Sequence, residues 1–361
     1  MDFNLISNLE SAQSIRGVPS SEIMIPYPSI RSLLDSQVQR YGNRTFLIIN
    51  ENDHCHQISF VDFFHQVCKC ANFLRRQKIC FGDRVKVNYN GEFRSLIQIF
   101  GIWEVGATVY LNDYEKDSVF IADPFLFDET LEEESTTIQI GKKSKLSDEC
   151  LILSNNYGKD VILSHYNMMV SGMAISAYFQ FSDKDVIGCP EPTNDLLNLS
   201  GAIMSGLYSG CQINLGTGLP TNTKVFFSYN NQLAKNSELL LVPHTSYKKN
   251  IGIPGFFIPE LSGFASFSSK SINLFNGMIP IGQPLNMCEM SIIDDEGNQI
   301  GVENYGLLGV RGHNVMKGYL GNNEDNNKIF TQGWLNTGWK AIAKQNSSNV
   351  LSYFVSPKIL S

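Results

Sequence analysis

From Ser59 the chain reads SFVDFFHQVCKCANFLRR, with Phe63, Val67, Cys70, Ala71 and Leu74 recurring at steps of three or four. That spacing puts them on one face of a helix. Ser59 and Asp62, three positions on, resemble a capping box at its start. GDRVKVNY then reads as a turn and a strand, FRSLIQIFGIWEVG as a second amphipathic helix ended by Gly106, and ATVYL as a second strand. Two strands joined through a helix predict a βαβ unit in a parallel sheet. Residues 124–149, with FDETLEEEST and GKKSKLSD, are polar and charge-blocked, as a solvated connection would be. Beyond them LILS is a strand, NNYGK a short polar loop and DVILSHYN the run into the helix candidate NMMVSGMAISAYFQF. LLNLSGAIMSGLYSG is a further helix candidate, rich in small residues and ending at Gly210. From about Gly282 the texture changes to short strands, CEMSIIDDEG and LLGVRG, with a turn at DDEG. The expectation is an α/β protein with an α/β region over residues 1–281 and a β-rich subdomain over residues 282–361.

Composition narrows the classes of partner. With 43% apolar and 17% charged residues the chain can build a core, and 28 basic against 35 acidic residues leave a net charge of −7. A negative chain with no basic stripe argues against nucleic acid or an anionic membrane as the main partner. MDFNLISNLE is acidic and polar where a signal peptide would be basic and then apolar, and no run of about 18 apolar residues exists. The expected location is cytoplasmic, with no transmembrane segment. Eight cysteines without a C-x-x-C pair suggest reduced, mostly buried thiols. His54-Cys55-His56 is not a metal site, because neighbours on an extended segment point to opposite faces.

The order of these segments resembles the large N-terminal domain of the adenylate-forming superfamily, the AMP-dependent acyl-CoA synthetases and their relatives. The similarity runs from about Pro28 to the C-terminus. It is carried by four stretches in order: ISFVDFFHQVCKCANFLRR; GDRVKVNYNGEFRSLIQIFGIWEVGATVYLN; GCPEPTNDLLNLSGAIMSGLYSGCQINL; and GHNVMKGYLGNNEDNNKIFTQGWLNTG. The resemblance implies two helix-packed sheets, the first region being AMP-binding-like with two βα subdomains and the β-rich one ending at the family's hinge. It also implies a chemistry. Family members bind ATP with magnesium, form an acyl-adenylate, and pass the acyl group to coenzyme A or a carrier. Positioning and electrostatic stabilisation of crowded negative charge are what such a site supplies.

The polar positions depart from that pattern. Where the family has TSGTTG-x-PKG, this chain has LILSNNYGK; the strand, Lys159 and Leu163-Ser164-His165 remain, but the glycine- and hydroxyl-rich centre is about four residues short. Cradling phosphate depends on glycines that let successive N–H groups converge. Ser268 stands where a glutamate ligates magnesium, and a serine brings no charge to hold a hard cation. Trp339 follows Thr337-Gly338 where an aspartate grips the ribose, and an indole can only donate. By position, then, the resemblance assigns nucleotide contacts to Ser154, Gly158, Lys159, Ser268, Thr337 and Trp339. It assigns the acyl pocket to Asp195, Leu196, Leu197, Leu199, Met204 and Phe264, Asp195 standing where the family has a histidine. No catalytic residue or metal ligand is assigned, and ATP and magnesium rest on the resemblance alone. A lone loop lysine is solvated more often than not. His165 and His244 follow apolar runs and read as structural.

Three readings stay open. In one, the chain is a relative that has lost catalysis and binds an acyl chain, such as a fatty acid, or a nucleotide. In another it is a working ligase acting on a fatty or aryl carboxylate. In the last it is a fragment or subunit completed by a separate lid-bearing or acyl-carrier protein.

Overall fold

The helix expected after Ser59 forms over Phe60–Arg76. The Ser59 hydroxyl accepts the Asp62 N–H at 3.0 Å, and Phe63, Val67, Cys70, Ala71 and Leu74 are all buried. The computed structural model describes residues 3–20, 25–51, 54–87, 93–111, 119–121, 134–137, 142–190, 195–216, 222–229, 239–248, 252–269, 273–321 and 323–357. The second helix, Phe93–Val105, packs on the first. The strands on either side of it, Arg84–Lys86 and Thr108–Tyr110, pair in parallel with Arg84 opposite Thr108. The βαβ unit is therefore real. Most of the charge-blocked connection lies outside the described residues.

These strands belong to a six-stranded sheet ordered Gly318–Tyr319, Asp160–Ser164, Glu149–Ser154, Thr108–Tyr110, Arg84–Lys86 and Val119–Ile121. A second sheet has 14 strands. At its centre Gln212–Leu215, Val186–Cys189, Val225–Phe227, Leu239–Pro243 and Ile253–Ile258 run parallel. From Gly263–Phe267 onward its ladder turns antiparallel. The expected β-rich strands Cys288–Ile293 and Tyr305–Gly312 pair there, and the Gly297 N–H donates to the Asp294 carbonyl at 3.1 Å in the turn between them. Pairing of Ser266 with Pro284 carries the ladder unbroken from the α/β strands into the β-rich ones.

Between the sheets lies the helix His165–Phe179, almost wholly buried along its first three turns. It crosses a π-helical stretch, Leu197–Ile203, that continues as the α-helix Met204–Ser209. The crossing is close. A Cβ on Gly172 would stand 2.7 Å from the Met204 backbone, so glycine is what lets the two backbones touch. Three α-helices among the described residues were not foreseen: Ile30–Tyr41, Asn323–Ile329 and Phe3–Ala12, the last of which packs against the strand Trp334–Gln345 and buries Leu5 and Ala12. Its apolar face is too short to stand out of a polar segment. The eight cysteines are all free; six are buried, and Cys55 and Cys80 are exposed. Among the described residues no helix is long and apolar enough to cross a membrane.

Asn167 ties this helix to the distant C-terminal strands. Its N–H donates to the Ser164 hydroxyl at 3.1 Å and its Oδ1 accepts the Ser164 N–H at 2.9 Å, a closed capping box. Its amide Nδ2 donates to the carbonyls of His313 and Val315 at 2.9 and 3.0 Å. Asn167→Ala should strand two buried carbonyls and one N–H, lowering stability by roughly 2–4 kcal/mol. Urea unfolding at neutral pH measures this; a loss below about 1 kcal/mol would contradict it.

Candidate functional site

Strands Glu149–Ser154 and Asp160–Ser164 pair antiparallel with Ser154 opposite Asp160, so the polar loop between them closes a hairpin. Asn155 organises that loop. Its side-chain Oδ1 accepts the N–H groups of Tyr157 and Lys159 at 2.9 and 3.0 Å. Its own N–H donates to the Lys159 carbonyl at 2.9 Å, and Gly158, at a positive φ of 72°, donates its N–H to the Asn155 carbonyl at 3.1 Å. The N–H groups of Asn155, Tyr157, Gly158 and Lys159 are thus bonded within the loop. In a phosphate loop such groups converge on the anion instead.

The side chains follow suit. Ser154 donates its hydroxyl to Asp160 Oδ1 at 2.9 Å, and the Tyr110 hydroxyl donates to Oδ2 at 3.0 Å. The Lys159 ammonium pairs with Asp325 at 3.0 Å and lies 5.2 Å from the centre of the Tyr319 ring. Asn155 Nδ2 and the Tyr319 hydroxyl both donate to Glu260 Oε1, at 2.7 and 2.9 Å. Burial, with the Glu260 carboxyl beside it, pushes the Tyr319 hydroxyl far above its ordinary range, so it stays a donor.

Ser154, Asn155, Lys159, Glu260, Tyr319 and Asp325 line a cleft of about 700 Å³ between the two sheets. Of the positions singled out from the sequence, Ser154, Lys159, Thr337, Trp339, Asp195 and Leu196 are on its walls. Asp195 Oδ1 accepts the Leu197 N–H at 2.7 Å and the Tyr229 hydroxyl at 3.1 Å, fixing the start of the π-helical stretch beside the cleft. Gly158 sits in the loop but not on the wall. Leu197, Leu199, Met204 and Phe264 are buried in the core and do not line the cleft. Ser268 is buried away from it as well, its N–H donating to the Pro254 carbonyl at 2.9 Å. Among the described residues no three His, Cys, Asp or Glu side chains are placed to hold a metal ion.

Trp339 is packed rather than poised. Its ring meets His244 edge-on at 4.4 Å, and His244 in turn stacks on Phe256 at 4.6 Å. His244 Nδ1 accepts the Phe257 N–H at 3.3 Å. Burial drives the His244 imidazole down to about 3, so it is neutral at pH 7. Glu260, Asp325 and Asn336 are cleft residues that the sequence alone did not suggest. Tyr319 is another, and its place in the quoted stretch GHNVMKGYLG was the available signal.

No family model matches the chain. Among curated proteins it is 29% identical over 94 residues to a long-chain-fatty-acid–CoA ligase of Salmonella typhimurium, covering 26% of this chain and 16% of that ligase. It is 37% identical over 82 residues to 4-coumarate–CoA ligase 1 of Oryza sativa subsp. japonica, covering 22% and 14%. The matched stretch thus spans only about a sixth of these relatives. Solved structures extend the likeness to the whole fold. ATP-bound MatB from Rhodopseudomonas palustris superposes with a TM-score of 0.73 at 15% identity, over 90% of this chain and 78% of that one. The N-terminal subdomain of Klebsiella oxytoca NpsA in complex with 3-hydroxybenzoyl-AMSN gives 0.73 at 16% identity, over 90% and 98%. The chain has the fold of the large N-terminal domain of adenylate-forming enzymes, and part of it is related at low identity to acyl-CoA ligases.

The neutral His244 makes stability depend on pH. Below its ordinary value near 6.5 the unfolded chain takes up a proton that the folded one refuses until about 3. Stability is therefore full above pH 6.5 and falls as pH drops through that window, by up to about 1.4 kcal/mol per pH unit. Urea midpoints at pH 7.5, 6 and 5 should show the decline, and His244→Phe should lessen its slope without abolishing it, because burial also holds His165 down to about 4.

Proposed function

We propose that this chain is a relative of the acyl-CoA ligases that has lost adenylation and uses its inter-sheet cleft to bind an acyl ligand. The observation that carries the reading is the closed loop. Its N–H groups are bonded to Asn155 and Lys159, and its one lysine is neutralised by Asp325. A triphosphate would have to break both. The cleft walls carry Lys159 and Lys328 against Asp195, Glu260 and Asp325, two positive charges facing three negative. Such a lining repels a polyanion unless magnesium intervenes. Trp339 at the ribose position offers a donor where acceptors are needed.

An acyl body asks less of the site. Leu111, Leu153, Leu196, Phe257 and Ile258 give apolar wall, and burying a chain against it gains about 0.8 kcal/mol per methylene. A cleft of this size falls in the usual range for small-molecule pockets. Because Leu197, Leu199, Met204 and Phe264 fill the core, the acyl chain would lie in the cleft itself and not in a pocket of its own.

A second reading, a working ligase, has one observation in its favour: the fold is shared with a subdomain that holds 3-hydroxybenzoyl-AMSN.

The experiments separate them. The purified protein should show no pyrophosphate exchange with any carboxylate, and Trp339→Asp alone should not restore it. Oleate should raise the melting temperature more than ATP–magnesium does. Acyl-AMP formation, or a shift from ATP and none from oleate, would refute the proposal and revive the ligase.

A further inference from the structure

A second cavity, of about 270 Å³, lies away from the cleft, under the helices Ile30–Tyr41, Phe60–Arg76 and Phe93–Val105. Its wall is divided. One part is apolar, formed by Val67, Phe100 and Trp103 with Ile30 and Leu34. The other is polar and holds groups that have no hydrogen-bond partner among the described residues. His165 is 2% exposed, and neither ring nitrogen has a hydrogen-bond partner. Arg75 donates Nη2 to the Glu104 carbonyl at 3.2 Å, but its buried Nη1 has none. The buried Ser144 hydroxyl likewise has none.

Buried polar atoms are almost always satisfied, and each one left open costs about 1–3 kcal/mol. Three such side chains on the wall of one cavity are best understood as a site awaiting its ligand. The charges define what would enter. Arg31 is paired with Asp35 and Glu104 at 2.7 and 2.6 Å, so its charge is offset on the wall itself. That leaves the Arg75 guanidinium inside and the exposed Lys142 and Lys143 at the wall, so the cavity favours negative charge. Burial drives His165 down to about 4, so at pH 7 it is neutral and presents one N–H and one lone pair. Its ring meets Trp103 edge-on at 6.1 Å, and so the polar and apolar parts of the wall adjoin.

We propose that this cavity is a second binding site, for a small organic carboxylate whose apolar body lies against Phe100 and Trp103 while its carboxylate accepts from Arg75 and His165. Inorganic phosphate fits less well, because it would leave water to sit beside an indole and a phenyl ring. Water alone would satisfy the polar atoms but wet the apolar wall.

Calorimetric titration with benzoate, benzamide and phosphate tests this, using the wild-type chain, His165→Leu, Arg75→Gln and Lys159→Ala. Benzoate should bind the wild type at least about tenfold more tightly than benzamide or phosphate does. His165→Leu should lose about tenfold in benzoate affinity while melting no lower than wild type, since it removes two unpartnered atoms. If that variant fails to fold, Arg75→Gln reads the same loss. Lys159→Ala, in the other cleft, should bind as wild type. Absence of benzoate binding at millimolar concentration, equal affinity for benzamide, preference for phosphate, or loss in Lys159→Ala with retention in His165→Leu would each overturn the proposal.

Discussion

A single buried carboxyl group joins the two sheets, and the cleft between them depends on it. Glu260 sits in the short 3-10 turn Pro259–Leu261 that follows a strand of the larger sheet. Its side-chain donors come from the smaller sheet, Tyr319 from a strand and Asn155 from a hairpin loop. The Met316 N–H adds a bond to the Glu260 backbone carbonyl at 2.9 Å. Stripped of these donors, a carboxyl at this depth would be costly. The separation of the sheets is therefore set by hydrogen-bond lengths rather than by apolar contact alone.

The same residues decide what the cleft can hold. Asn155 reaches Glu260 with its amide nitrogen and its own loop with its amide oxygen, so bridging the sheets and closing the loop are one event. Tyr319 likewise donates to Glu260 and lies beside the Lys159 ammonium. Opening the loop toward an anion would release N–H groups from Asn155 and disturb the inter-sheet bridge at once. The geometry that stabilises this fold thereby works against phosphate binding at the N–H groups of this loop.

The buried histidines show a related trade. His244 and His165 are both kept neutral by burial, but they are used differently. His244 is wedged between Phe256 and Trp339 and accepts a backbone N–H, so it is part of the packing. His165 begins a helix directly after a strand and lines a cavity with both nitrogens unmet among the described residues. Neighbours, not residue type, give the two rings their separate meanings.

Periodicity alone located the helices Phe60–Arg76 and Phe93–Val105, the parallel strands around the second of them, the helix after Ser164 and the β-rich texture of the C-terminal part, because local spacing is what dictates local structure. That the loop between Ser154 and Asp160 holds a single glycine, Gly158, was equally legible. What the sequence could not say was which side chains meet across long separations. Asn155 and Glu260 are 105 positions apart and Tyr110 and Asp160 50 apart, and no local pattern encodes such pairs. Nor could it tell that Leu197, Leu199 and Met204 fill the core while Leu196 beside them faces the cleft. Apart from Asn198, every residue in that run is apolar or small, so only the packing of the sheets and helices around it decides which face is wall and which is core.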